Sequence, residues 1–293
     1  MGDPLRPAAP HRFRRHLAPR VPRGPAHRPR RDAAQPGPGA DVIPHHTVDG
    51  PEGAAAVLCS NALGTTLDMW APQVDALSEA FRVIRYDTRG HGRTPATGGV
   101  LGIGDLAEDL TDLLDHLDVP RAHLLGISLG GVTALEFAAR HPERTGRIAL
   151  LSTAAAIATP AFWADRVRIV RTGGMAALAG QGTRRWFTER FHREHPDLVR
   201  RFRRDLTACD PLGYTACCRV LGQTDLGDRL TAVRAPALVL CGTEDEITTE
   251  AAARALHAGL PDSRLEAVEG ARHLVSVEAA AVVNRWLLDH FRS

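Results

Sequence analysis

Gly126-Ile127-Ser128-Leu129-Gly130 lies between two stretches of opposite character. Ahead of it, Ala122-His123-Leu124-Leu125 is a short apolar run that predicts a buried strand. Behind it, Gly131-Val132-Thr133-Ala134-Leu135-Glu136-Phe137-Ala138-Ala139-Arg140 predicts a helix. A serine at so sharp a strand-to-helix turn needs small neighbours, because bulky ones would collide, and the flanking glycines supply them. The turn leaves the Ser128 hydroxyl exposed. The helix starting there aims free N–H groups and a positive dipole end at the same point. A serine in an ordinary glycine turn is the competing reading, and the strand and helix flanks weigh against it. Ser128 is the candidate nucleophile.

Working outward, strand-like and helix-like segments alternate. Residues 54–59 predict a buried strand, 70–80 a helix and 81–86 a second strand, which runs into Asp87-Thr88-Arg89-Gly90-His91-Gly92. Residues 104–117 carry Leu106, Leu110, Leu113, Leu114 and Leu117, the apolar stripe of an amphipathic helix. The serine strand and helix follow, then a strand over 147–151. After a long interruption come a strand over 236–241, a helix over 250–260, a strand over 264–268 and a terminal helix over 274–291. Repeated strand–helix units predict an α/β fold, a mostly parallel sheet flanked by helices. Residues 42–152 and 231–293 form the expected core. The interruption, 153–230, is helical in character, rich in Arg, and holds Trp163 and Trp186. An insertion there lies above the carboxyl ends of the strands, so it reads as a helical lid that controls access and excludes water.

Composition narrows the function classes. The 293 residues carry a net charge of +2, but residues 1–40 hold nine Arg against Asp3 and Asp32 and so carry +7, leaving the rest at −5. The expected core shows no nucleic-acid footprint. No uninterrupted apolar stretch is long enough to span a membrane. The first 41 residues, dense in Pro and Arg and without an apolar signal segment, are expected to be a disordered leader. Cysteines 59, 209, 217, 218 and 241 are too scattered for a disulfide framework, and cytoplasmic residence is the expectation. No cluster of His, Cys and Asp has the spacing of a metal site.

A serine nucleophile needs a base, and the base needs an orienting acid. In a strand-to-helix arrangement these follow the serine in the order acid, then histidine. The strand ending at Cys241 runs into Gly242-Thr243-Glu244-Asp245-Glu246-Ile247-Thr248-Thr249, where Asp245 can return over the sheet edge. Glu244 and Glu246 are its rivals. Of fourteen histidines, His273 follows the last strand and precedes the last helix. It is the expected base. An oxyanion needs two N–H donors. Leu129, next to the serine, supplies one, and the loop Ser60-Asn61-Ala62-Leu63-Gly64-Thr65-Thr66 the other, from Ala62.

Several of these stretches resemble 3-oxoadipate enol-lactonases of the α/β-hydrolase superfamily. The residues carrying the likeness are Ser60-Asn61-Ala62-Leu63-Gly64-Thr65, the 81–92 segment, the serine turn, Ser152-Thr153-Ala154-Ala155-Ala156-Ile157-Ala158, Phe162-Trp163-Ala164-Asp165-Arg166-Val167, Arg185-Trp186-Phe187-Thr188 and the 242–249 loop. The resemblance covers about residues 42–293. It implies an α/β-hydrolase fold, a Ser128–His273–Asp245 acyl-enzyme mechanism, no metal or organic cofactor, and a small-molecule lactone as substrate. The implied setting is the catabolism of aromatic compounds. The substrate carries a carboxylate, so the resemblance implies a cation in the pocket. Arg166, one helical turn after Trp163, is the candidate, with Arg185 and Arg89 next in line. Members usually open with two short strands, and here only 43–48 can match the second. A general carboxylesterase or another small-lactone hydrolase is the alternative, and a slow-turnover ligand receptor a further one.

Overall fold

Runs rich in Val, Leu, Ile and Ala build one sheet in the computed structural model, which describes residues 43–293. The strands are β1 (His46–Asp49), β2 (Ala56–Ser60), β3 (Arg82–Tyr86), β4 (Ala122–Ile127), β5 (Thr145–Leu151), β6 (Ala237–Gly242) and β7 (Ser263–Val268). Their spatial order is β1-β3-β2-β4-β5-β6-β7. Only β1 runs antiparallel, pairing with β3 at one edge. β2 and β6 are buried along their whole length, as strands covered on both faces must be. Cys59 and Cys241 pack there as small hydrophobes, and burial pushes the Cys241 thiol up to about 11. The sequence-based reading of a mostly parallel sheet flanked by helices holds. The expected leader, 1–41, lies outside the described residues.

Helices α1 (Ala71–Leu77), α2 (Ile103–His116), α3 (Leu129–Arg140), α9 (Glu250–Gly259), α10 (Val275–Glu278) and α11 (Ala280–Arg292) flank the sheet. In α2 the leucine stripe behaves as its spacing dictates, with Leu106, Leu110, Leu113 and Leu114 buried. The single terminal helix expected over 274–291 is two helices. The carbonyl of Ser276 accepts a hydrogen bond from the Gln73 amide at 2.8 Å, and Ala279, at φ −123° and ψ 38°, leaves helical geometry.

Between β5 and β6 the chain forms five helices: α4 (Pro160–Gly173), α5 (Ala176–Trp186), α6 (Glu189–Glu194), α7 (Pro196–Ala208) and α8 (Pro211–Gln223). Three begin with proline as the first residue, where its missing N–H costs nothing. Thr159, Thr188 and Asp210 cap the starts of α4, α6 and α8 with side-chain oxygens. The insertion is pinned to the loop after β7. The Trp186 carbonyl accepts from the Leu274 N–H at 3.1 Å, and the Arg184 carbonyl from the Arg272 guanidinium at 2.6 Å.

The turn between β4 and α3 is the tightest point of the sheet. Ser128 sits at φ 55° and ψ −120°, a conformation that costs an L-residue of order 1–3 kcal/mol. A Cβ on Gly130 would lie 2.0 Å from the Ser60 carbonyl oxygen and 2.8 Å from the Asn61 nitrogen. Both are backbone atoms of the neighbouring strand's loop, so they cannot swing aside. Gly130→Ala is therefore expected to cost about 3 kcal/mol or more, the upper range for overpacking, read as a lowered urea midpoint. A midpoint within experimental error of wild type would show that β2 and the turn separate freely.

Candidate active site

The loops leaving the carboxyl ends of β2, β4, β6 and β7 emerge on one edge of the sheet and carry the candidate residues. The Ser128 backbone is held on all sides. Its N–H donates to the Leu151 carbonyl at 3.0 Å, and its carbonyl accepts from the Thr153 hydroxyl at 2.8 Å.

Asp245 follows the end of β6 by three residues and is buried. Its Oδ1 accepts from the backbone N–H groups of Ile247 and Thr248, at 2.8 and 3.1 Å. Its Oδ2 accepts from the Thr248 hydroxyl at 2.6 Å and lies 2.8 Å from His273 Nδ1. Burial alone would raise its pKa. The facing His273 charge and these hydrogen bonds outweigh it, so the pKa falls below the ordinary carboxylate value. Glu244 and Glu246 turn away, at 3.9 and 3.7 Å from the Arg272 guanidinium. Of the three carboxylates, Asp245 is the one that meets a histidine. With Nδ1 engaged there, the Nε2 side of His273 is left for the cavity whose wall it shares with Ser128.

The loop after β2 is held by bonds with Trp70, the end of β3 and the segment that follows it. Asn61 donates to the Tyr86 carbonyl at 2.7 Å and accepts from the Trp70 indole at 2.7 Å. The Leu67 N–H donates to Asp87, and the Gly64 N–H donates to His91 Nε2 at 3.0 Å. The Ala62 carbonyl accepts from the Thr65 N–H and hydroxyl. Leu129 opens α3, so its N–H has no acceptor within that helix. The contact at Gly130 thus sets the segments of Ala62 and Leu129 side by side.

A partly open cavity lies over Ser128 and His273. Its roof comes from the insertion: Phe162, Trp163 and Arg166 of α4, Arg185 and Trp186 of α5, and Tyr214 of α8. The Trp163 indole N–H is spent on the Ile157 carbonyl at 2.6 Å, so Trp163 offers its apolar surface. Arg166 donates from Nε and Nη2 to the Tyr214 hydroxyl, at 3.1 and 2.7 Å. Its guanidinium lies 5.6 Å from the Phe162 ring centre, and that of Arg185 lies 5.3 Å from the same ring. Among the described residues neither arginine forms an ion pair with a carboxylate, and no acid lines the cavity. Arg89 is elsewhere, bound to Asp109 at 2.7–2.8 Å, which removes it as a cavity cation.

Residues 55–280 match the family model described as the alpha/beta hydrolase fold. The chain belongs to the α/β hydrolase family. Among its relatives is a 3-oxoadipate enol-lactonase of Acinetobacter baylyi, 36% identical over 83% of this chain and 91% of that protein. A putative carbamate hydrolase of Variovorax paradoxus is 33% identical over 84% and 94%. The crystal structure of the enol-lactonase from Burkholderia xenovorans superposes with a TM-score of 0.83, at 38% identity, over 85% of this chain and 96% of that one. This α/β hydrolase is an enzyme of the ester- and lactone-hydrolysing kind. Among the described residues no helix is long and apolar enough to cross a membrane.

Sequence reasoning gave no role to Thr248, within the 242–249 loop, or to Tyr214, which belongs to no motif, yet both hold candidate side chains. Among the described residues, Thr248 is the one that gives Asp245 a side-chain hydroxyl bond. Thr248→Ala is expected to lower kcat roughly tenfold with KM little changed, the equivalent of one net hydrogen bond of about 1–1.5 kcal/mol. Thr248→Ser should restore it. Steady-state kinetics of both variants on one ester check this, and a wild-type kcat in Thr248→Ala would dismiss the positioning role.

Proposed function

We propose that this α/β hydrolase opens 3-oxoadipate enol-lactone to 3-oxoadipate, a step in the breakdown of aromatic compounds in the cytoplasm. The observation carrying the reading is the cavity itself: two arginines without acid partners face the space over Ser128 and His273. A monoanionic lactone suits that charge, and the enol-lactonase relatives point the same way. The 153–230 insertion is the lid of this site.

In the proposed mechanism His273 takes the Ser128 proton through Nε2 while Asp245 holds Nδ1–H. The serine oxygen attacks the lactone carbonyl, and the N–H groups of Ala62 and Leu129 stabilise the oxyanion. Collapse breaks the ring bond and expels an enol oxygen, a better leaving group than an alkoxide; His273 returns the proton and the enol relaxes to the ketone. Water activated by His273 then cleaves the acyl-enzyme. Arg166 binds the substrate carboxylate, and Trp163 packs against its carbon skeleton.

The Variovorax relative supports a second reading, carbamate hydrolysis with the same three residues. Purified protein offered each substrate decides: loss of lactone absorbance with no ammonia from carbamate supports the first, and the reverse pattern the second.

Ser128→Ala is expected to lower kcat by about 10⁴-fold or more with folding intact. His273→Ala should cost a similar amount, and the double variant little more, because the pair acts as a unit. A tenth of wild-type activity in Ser128→Ala would end the nucleophile assignment, and additive losses would place His273 in another role.

Arg166→Ala should weaken kcat/KM for the enol-lactone by roughly 10–200-fold, the worth of a charge-assisted hydrogen bond of about 1.5–3 kcal/mol. A neutral ester of similar size should lose much less. Arg166→Lys should rescue only in part. Equal losses on both substrates would exclude a carboxylate-binding role.

A further inference from the structure

The cavity over Ser128 is partly open, and Arg185 stands in its wall. A second, outer groove lies there, bounded by Ala158 and Thr159 ahead of α4 and by Glu246 of the Asp245 loop. Phe162, Arg185 and Ile247 line both spaces. All three are half-buried, as residues facing a cavity on one side and a groove on the other should be. They form a neck between the outer groove and the inner cavity.

Arg185 is the charged member of that neck. Its backbone is fixed from both sides, because the carbonyls of Arg184 and Trp186 are bonded to Arg272 and Leu274 of the His273 loop. Its guanidinium stacks toward Phe162. Glu246, the acid of the outer groove, leans toward Arg272 at 3.7 Å. Arg185 therefore keeps a charge at the neck with no ion-pair partner among the described residues, and Arg166 holds a second one against the same phenyl ring.

We propose that Arg185 is a specificity-determining entry residue: it draws the substrate carboxylate into the neck and passes it along the Phe162 ring to Arg166. This rests on Arg166 as the inner partner of a carboxylate-bearing substrate. The division of labour follows from the surroundings. Arg166 is fixed by Tyr214 and suits a lasting bond, whereas among the described residues the Arg185 guanidinium has a ring contact alone and suits transient capture. Capture by charge raises the association rate and is weakened by salt.

The test compares the mono-4-nitrophenyl ester of glutaric acid with uncharged 4-nitrophenyl pentanoate, which puts a methyl where the acid was. The readout is the ratio of their kcat/KM values from about 20 to 500 mM salt. In wild type the ratio should favour the acid ester and fall with salt. Arg185→Gln should lower it about tenfold at low salt and flatten the salt dependence, with the loss in kcat/KM rather than kcat. Arg185→Lys should keep most of both, because capture needs charge and not a fork, a rescue that a merely structural role would not show. Arg166→Gln should lower the ratio at every salt concentration. If Arg185→Gln keeps the wild-type ratio and slope while Arg166→Gln loses the preference, the entry role is overturned and the inner site stands. If wild type shows no preference, both fall. Stopped-flow quenching of Trp163 and Trp186 by glutarate reads association without turnover: a rate about tenfold slower in Arg185→Gln supports the proposal, and an unaltered rate overturns it.

Discussion

The approach of Gly130 to the Ser60 carbonyl couples the two halves of the site. β2 and β4 are parallel neighbours in register, with Ser60 opposite Gly126, so their loops leave the same edge level with each other. The chain after β4 must reverse at once into α3, and Ser128 takes a left-handed conformation to do so. Helix and loop then touch backbone to backbone, at a distance no side chain would permit. The spacing between the amides of Ala62 and Leu129 is consequently a property of the sheet. Side chains around the site adjust substrate fit; they do not set this distance.

A geometry fixed by backbone contact still needs the loop after β2 to stay put, and the Asp87-Thr88-Arg89-Gly90-His91-Gly92 segment holds it there. Asp87 accepts from the N–H groups of Leu67 and Arg93, tying its own turn to the start of the helical segment beyond the loop. His91 accepts from Gly64 through Nε2 and reaches the Arg89 carbonyl through Nδ1. Burial lowers its pKa, which keeps the ring neutral and Nε2 free to accept. Arg89 closes the set by binding Asp109 of α2, whose burial lifts its pKa to about 6 despite that partner. A segment rich in titratable groups near the site therefore acts as a strut. None of its members lines the cavity.

Much of this was legible because it rests on local rules. Apolar runs fixed both faces of β2, β4 and β6; the leucine spacing fixed α2; glycines beside Ser128 announced the turn. Asp245 and His273 could be named as candidates because chain order and loop position leave few options, and the observed bonds to His273 and Thr248 set Asp245 apart from its rivals Glu244 and Glu246. Contacts between distant elements were not legible. At the break in the terminal helix the Ser276 carbonyl is bonded to Gln73, some two hundred residues earlier. Tyr214 carries no motif, yet it fixes Arg166 from another helix. Arg89 and Arg185 look alike in the sequence, and only packing sends one to Asp109 and the other to the cavity wall.

The charge of the cavity is the last consequence of that packing. Tyr214 takes two hydrogen bonds from Arg166, occupying one edge of the guanidinium, but a phenol offers no charge to cancel. Burial drives the Tyr214 pKa far up, so it stays neutral at any working pH. The stack on Phe162 likewise orients Arg166 and Arg185 without neutralising them. Two oriented cations in a partly enclosed space favour any anion that fits, because desolvated charge without a partner is costly. A neutral ester entering the cavity would add to that cost by displacing water from the guanidiniums. A ligand with one carboxylate offsets it, and does so only when the acid reaches the guanidiniums packed against the Phe162 ring. On the proposed reading, the same contact that admits the carboxylate also turns the opposite end of a short substrate toward Ser128 and His273.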